Sequence, residues 1–179
     1  MHAFCAILLA AFFSLWAGFA AALDPRDVDI LGLRLGMTRE DVVAQLAAQG
    51  IDRRMTREER HACPGDPTAG CIDRLTAPTR DGTLLIHFAI ASAAAPATVW
   101  SIAYTLTGRL PGEPAIIRNA VLDRFGPPAG GRDPVIWCAH VSGSDCSPPD
   151  QPQITFHQGP STASTLTLSN PAAVAGTGR

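Results

Sequence analysis

The chain has few charged residues and almost no excess of either sign, since 14 Lys and Arg stand against 16 Asp and Glu among 179 residues. The basic residues are scattered along the sequence rather than gathered into one stripe or cluster. Nucleic-acid binding depends on such a concentrated basic surface. We therefore expect no nucleic-acid partner.

The sequence motifs of the common enzyme classes are also missing. There is no Gly-x-Ser-x-Gly nucleophile elbow, no phosphate-binding loop, no His-Glu-x-x-His motif and no Cys-x-x-Cys redox motif. Two acidic pairs, Asp24 with Asp27 and Asp29 with Glu40, have no spacing that commits them to general acid and base catalysis. The sequence predicts a protein that is not an enzyme and holds no cofactor.

The chain begins with a long apolar run. Residues 1–22 contain no charged side chain and end in Ala20-Ala21-Ala22. This pattern is typical of a secretory signal peptide that is cleaved after Ala22, and it predicts a periplasmic or secreted protein that meets the membrane only transiently. The alternative is an uncleaved anchor, because about 20 apolar residues can span a bilayer.

Four cysteines follow the predicted signal peptide: Cys63, Cys71, Cys138 and Cys146. Thiols in an oxidising compartment tend to form disulfides, and four cysteines allow three connectivities. Local pairing within each half is favoured, because the two members of a pair are eight positions apart and flank turn-forming residues. Each such bond contributes on the order of 2 to 3 kcal/mol. Pairing across the halves stays open.

Histidines beside the cysteines raise a zinc hypothesis. His61 precedes Cys63 by two positions, and His140 follows Cys138 by two. These ligand types suit zinc, but the eight-residue cysteine separation exceeds the usual two to four residues of a zinc knuckle. Thiol catalysis would need a thiolate beside an activating base, and an exported cysteine with a nearby partner is more readily oxidised.

Capping signals predict two helices. The first lies within residues 36–51, where Thr38 can cap the N-terminus with Asp41 in a capping box and Gly50 can end the helix. The second runs from about Pro114 to Phe125 and stops at Gly126. The apolar stripes are Val42, Val43, Leu46 and Ala47 in the first helix, and Ile117, Ala120, Val121 and Phe125 in the second.

Alternation of apolar and polar residues predicts strands after each helix. The stretches "TLLIHFAI" (83–90) and "TVWSIAYTL" (98–106) alternate clearly, and Asp81-Gly82 indicates a tight hairpin with a further strand near residues 73–79. Three shorter strands alternate in the second half, at Val135/Trp137/Ala139/Val141, Ile154/Phe156 and Leu166/Leu168. His87 and His157 fall opposite the apolar positions and are expected to face solvent. The charged run 52–60 is expected to be a solvated edge strand or loop.

The order of helix, cysteine loop and strands occurs twice. Leu46 and Gly50 recur as Leu122 and Gly126 at an offset of 76, and the cysteines recur at an offset of 75. We therefore predict an α+β protein, with a mostly antiparallel sheet covered by helices and built from two tandem helix-plus-strands halves. The predicted division is a signal peptide (1–22), a first half (23–110), a second half (111–170) and a disordered tail (171–179).

The stretch "DILGLRLGMTREDVVAQLAAQGI" (29–51) resembles the Leu-Gly-Met-Thr helix start of exported bacterial proteins of the BamE/SmpA-like type, which share the β-lactamase-inhibitor-protein-like fold. "LDRFGPP" (122–128), followed by "VIWC" (135–138), is similar to the helix end and first strand of periplasmic members of that group. The resemblance implies a fold that binds other proteins, here an unidentified envelope protein.

The binding surface is expected on the exposed sheet face or on the loops that carry Trp100, Tyr104 and Trp137. Alternation places Trp100 and Tyr104 on the same face as Ile102 and Leu106, which favours a core position for both aromatic residues. Two alternatives stay open: a hydrolase or zinc-dependent enzyme that uses the cysteine and histidine loops, and a sensor that captures a small apolar molecule between helix and sheet.

Overall fold

The computed structural model describes residues 23–63, 66–90, 95–107, 113–143, 145–159 and 163–175, with no description of the side chains of 66–69 and 175. The predicted signal peptide, 1–22, lies outside the described residues. The helices are α1 (Arg39–Ala48), α2 (Glu113–Phe125) and α3 (Ala172–Ala175), with 3₁₀ turns at Pro25–Asp27 and Arg53–Met55. The strands are β1 (Arg57–Cys63), β2 (Asp66–Pro78), β3 (Gly82–Ala89), β4 (Thr98–Thr107), β5 (Val135–Cys138), β6 (Val141–Ser142), β7 (Asp145–Cys146), β8 (Gln153–Gln158) and β9 (Ala163–Ser169).

Seven strands form one antiparallel sheet in the order β1-β2-β3-β4-β9-β8-β5, and β6 pairs with β7 in a separate hairpin. The strands from the two halves of the sequence meet where β4 pairs with β9. At this seam Ile102 lies opposite Leu168 and Tyr104 lies opposite Leu166. The sheet is therefore continuous from one edge to the other.

Helix α1 forms as its sequence predicts. The Asp41 amide donates to Thr38 Oγ1 (3.2 Å), and the Thr38 amide donates to an Asp41 carboxylate oxygen (3.1 Å), which completes the capping box. Gly50 ends the helix with a φ of 75°, a conformation that costs glycine little. Val42 and Leu46 are buried, whereas Ala47 is exposed.

Helix α2 packs over β8 and β9 and, like α1, ends at a glycine with a positive φ. The Gly126 amide donates to the Leu122 carbonyl (2.8 Å), and Gly126 has a φ of 75°. Val121 and Phe125 are buried in the core, and Ala120 of the predicted stripe is exposed. No helix in the described part of the chain combines the length and the apolar character that crossing a bilayer requires.

One hydrophobic core lies between the helices and one face of the sheet. It contains side chains of both long helices, of the segment that precedes α1, and of six strands. The cross-strand row Leu75, Ile86, Ile102, Leu168, Ile154 and Trp137 runs through it from β2 to β5. We call this side of the sheet the covered face.

The predicted fold class is wrong. The described structure is dominated by the seven-stranded sheet and its three helices are short, so it is richer in strand than the predicted α+β arrangement. The strands of the predicted first and second halves belong to one sheet, in which β9 joins β4, and they share one core. Residues 57–63 and 66–78 form the paired strands β1 and β2, which extend well beyond the strand that the sequence predicts near residues 73–79.

Local predictions in the strands hold in several places. The charged run 52–60 includes a 3₁₀ turn and the start of β1, which is an edge strand of the sheet. The Asp81-Gly82 hairpin joins β2 to β3.

Residues 171–179, the predicted tail, include α3, and residues 176–179 lie outside the described residues.

Candidate functional site

The face of the sheet opposite the core, which we call the open face, carries mainly small and hydroxyl side chains. A row of directly paired residues crosses six strands with no charged member: Thr76, Leu85, Ala103, Thr167, Thr155 and Ile136. All six side chains are partly exposed. They occupy the positions that alternate with the core positions, so a strand period of two places them on this face.

A second row on the open face lies beside the first. Thr83, Thr105, Thr165 and His157 are neighbours on β3, β4, β9 and β8. The hydroxyls of Thr105 and Thr165 are hydrogen-bonded to each other at 3.1 Å across the β4–β9 seam. The row ends at the exposed His157, whose Nδ1 lies 2.7 Å from an Asp133 carboxylate oxygen.

Charged groups gather at the β1–β3 end of the open face. Arg74 lies 3.0 Å from the Glu59 carboxylate, and His61 Nδ1 lies 2.8 Å from Asp73. Asp73 is the extra residue of a bulge, because Glu59 pairs with Arg74 whereas Arg60 pairs with Ile72. In such a bulge two consecutive side chains point to nearly the same side, which places Asp73 and Arg74 together.

Trp100 lies next to this charged group, contrary to the core position that simple alternation predicts. A register shift between His87 and Phe88 leaves Trp100 unpaired in β4, as the extra residue of a bulge. Its ring centroid lies 5.6 Å from that of His87, on the open face. The prediction failed because one extra residue reverses the alternation on its N-terminal side.

The pKa of His87 is lowered from its ordinary value of 6.5. Partial burial is the largest cause, since it disfavours the charged imidazolium, and the positive charge of Arg74 on the neighbouring strand acts in the same direction. Asp73 and Glu59 oppose the shift. His87 is therefore a neutral, partly exposed group beside Trp100 at pH 7.

Tyr104 and Trp137 do not belong to the open face. Both side chains lie on the covered face, where Tyr104 is partly buried and Trp137 is buried. The hydroxyl groups of Tyr104 and Thr79 are hydrogen-bonded at 3.2 Å, and the Trp137 indole N–H donates to the Gly126 carbonyl at 3.0 Å. Of these three aromatic residues, Trp100 is the one that is partly exposed on the open face.

The cysteines form the two local disulfides that the sequence favours. Cys63 is bonded to Cys71 and Cys138 to Cys146, with Cα–Cα distances of 5.1 and 5.9 Å. The first bond ties β1 to β2, and the second ties β5 to the β6–β7 hairpin. In this state the four sulfur atoms are neither thiolate nucleophiles nor zinc ligands.

The two histidines of the zinc hypothesis are both exposed. His61 is held by Asp73, whereas the backbone amide and carbonyl of His140 are both bonded to the side chain of Gln151. Within the part of the chain that the structure describes, no three His, Cys, Asp or Glu side chains are arranged to hold a metal ion. The geometry thus gives no support to a zinc site around the disulfides.

Comparison of the chain with protein-family models, with curated proteins and with solved structures gives no significant match.

Proposed function

We propose that the protein is an exported binding module without catalytic activity, which docks another envelope protein on the open face of its sheet. One observation carries the proposal: the long helices pack on one side of a seven-stranded sheet, and the other side presents an uncharged row of partly exposed residues across six strands. The resemblance of residues 29–51 to BamE/SmpA-like proteins agrees with this function.

The chemistry of the open face suits a protein partner. The centres of protein–protein interfaces are depleted of charged residues, and their rims are polar. The uncharged row around Thr167 provides such a centre, and the Glu59–Arg74 and His61–Asp73 pairs lie at one end of it. Trp100 adds an aromatic side chain of the kind that often contributes most to binding.

The disulfides agree with an extracytoplasmic location. Two disulfides in a chain of this size are typical of proteins from an oxidising compartment. Together with the signal peptide predicted from residues 1–22, they support the cell envelope or the exterior as the place where the partner is met.

The experiment is site-specific photo-cross-linking in cells. A photoreactive amino acid replaces Thr167 or Thr155 on the open face, and in a matched control it replaces Ile116, which is 69% exposed on α2. We expect an adduct with one envelope protein from both open-face positions and none from position 116.

A charge substitution gives the second part of the test. Thr167→Arg places a long charged side chain in the middle of the row and should abolish the adduct formed from position 155. Ile116→Arg should leave that adduct intact. Equal adducts from position 116, or an adduct unaffected by Thr167→Arg in a variant whose circular dichroism is native, would refute the open face as the binding surface.

A further inference from the structure

His87 lies on the open face in contact with the bulge of β4. Its ring centroid is 5.6 Å from that of Trp100, and both side chains are partly exposed. His87 is paired directly with Ser101 on β4 and with Arg74 on β2. A partner that docks on the open face therefore covers this histidine together with Trp100, the aromatic side chain that we expect to contribute most to binding.

The ionisable groups near His87 belong to β2 and β1, since its β4 neighbours are the uncharged Ser101 and Trp100. These groups are Arg74, Asp73, Glu59 and His61. They are engaged with one another, because Arg74 lies 3.0 Å from Glu59 and His61 lies 2.8 Å from Asp73. Among the described residues, the ring of His87 has neither an ion pair nor a hydrogen bond.

This arrangement favours the neutral imidazole. The pKa of His87 is lowered, first because partial burial removes water from the ring and second because Arg74 carries a positive charge. The negative charges of Asp73 and Glu59 act in the opposite direction without cancelling the effect, since each carboxylate is paired with another group. In the free protein His87 therefore takes up its proton only below the ordinary histidine range.

A docked partner strengthens the preference for the neutral ring. Docking removes the water that remains around His87, and burial of an unpaired imidazolium costs far more free energy than burial of the neutral ring. The docked protein therefore binds a proton at His87 less tightly than the free protein does. By linkage, the affinity for the partner is highest where His87 is neutral in the free protein, and it decreases as the pH falls and the free protein takes up the proton.

We propose that His87 makes docking on the open face dependent on pH: the partner binds the neutral ring beside Trp100 and is released when this ring takes up a proton. The inference rests on the proposed function, because it concerns the same surface. It adds a condition to that function, since the partner is held near neutral pH and released on acidification. His61 and His157 differ from His87 because each ring contacts a carboxylate that can pair with an imidazolium.

The test uses the purified disulfide-bonded protein with a photoreactive amino acid in place of Thr155, which lies on β8, three strands from β3. This protein is titrated into a detergent extract of cell envelopes at about pH 7.5 and about pH 5, and the concentration that gives half of the maximal adduct is measured. Carboxylates stay mostly ionised over this range, so the histidines are the side chains that titrate. We expect the half-maximal concentration to be at least about threefold higher at the lower pH.

Three variants assign the effect to one histidine. His87→Gln should remove the pH dependence, because the amide side chain stays neutral at both pH values. The matched variants His61→Gln and His157→Gln each remove an exposed histidine of the same face, and both should keep the pH dependence. Circular dichroism checks that each protein is folded at both pH values.

The outcomes separate this inference from the proposed function. An adduct that forms equally at both pH values, an adduct favoured by the lower pH, or a pH dependence that persists in His87→Gln overturns the inference and leaves docking on the open face intact. Absence of the adduct at both pH values overturns the inference together with the proposed function.

Discussion

Removal of each disulfide separately is the most informative stability experiment on this protein. Both bonds close loops of the same length, with a sequence separation of eight. The chain-entropy account assigns such a loop about 2.5 kcal/mol at 25 °C, whichever disulfide closes it. Any difference in unfolding free energy between the two variants that each lack one disulfide therefore arises in the folded state rather than in the unfolded chain.

The folded contexts differ sharply. Cys63 and Cys71 lie on β1 and β2, which are paired along most of their length, so the strands keep their positions without the bond. The second bond holds a hairpin of two paired residues on each side, and an isolated hairpin of that size is not stable alone. Without its disulfide this hairpin is free to open in the folded protein. The conformational entropy that the folded state gains offsets part of the entropy that the unfolded chain gains, so the free energy of unfolding falls by less.

We therefore expect Cys63→Ala/Cys71→Ala to lose about 2.5 kcal/mol of unfolding free energy and Cys138→Ala/Cys146→Ala to lose clearly less. Alanine is chosen because Cys63 and Cys138 are buried and serine would bury a hydroxyl group. Urea unfolding gives the free energies, and hydrogen exchange should accelerate in residues 139–147 of the second variant alone. Thiol titration of the denatured variants checks that the remaining bond is intact. Equal losses without faster exchange would contradict the reasoning.

Three further predictions concern single side chains. The pKa of His87 is lower in the folded protein than in the unfolded chain, so the unfolded chain binds more protons as the pH falls below about 6.5 and the free energy of unfolding decreases over that range. His87→Gln should reduce this pH dependence, which urea unfolding at several pH values measures. An unchanged dependence in the variant would contradict the lowered pKa. Ser164 is fully buried, and its hydroxyl has no hydrogen-bond partner among the described residues, so Ser164→Ala should raise the unfolding free energy by about 1 kcal/mol. Leu168→Ala should lower the free energy of unfolding by about 2 to 5 kcal/mol, because Leu168 is fully buried between Ile102 and Ile154. Thr167→Ala on the open face should change the free energy of unfolding by less than about 0.5 kcal/mol. Thermal unfolding of the last three variants ranks them directly.

The features that the sequence predicts well are set by neighbouring residues. The capping box of Thr38 and Asp41, the glycine ends of both helices and the hairpin at Asp81-Gly82 depend on contacts within a few positions. The disulfides belong to the same class, since each joins cysteines eight residues apart. Local interactions of this kind can be predicted from a single sequence.

The features that the sequence does not reveal are set over long distances. Pairing of β4 with β9 creates the continuous sheet, and nothing in the local pattern of either strand selects the other as partner. The bulge at Trp100 depends on how β3 and β4 are aligned, and that alignment decides which face the indole occupies. Alternation predicts which residues of each strand lie on the open face, but only the strand order shows that this face extends across six strands.

The β4–β9 seam has a consequence for how the chain can associate before it is fully folded. Thr105 and Thr165, which are hydrogen-bonded across the seam, are 60 residues apart in the chain. Until β9 docks, β4 has a free hydrogen-bonding edge beside apolar side chains such as Ile102, the arrangement through which strands of separate molecules pair. Aggregation during folding should therefore begin at this edge of β4.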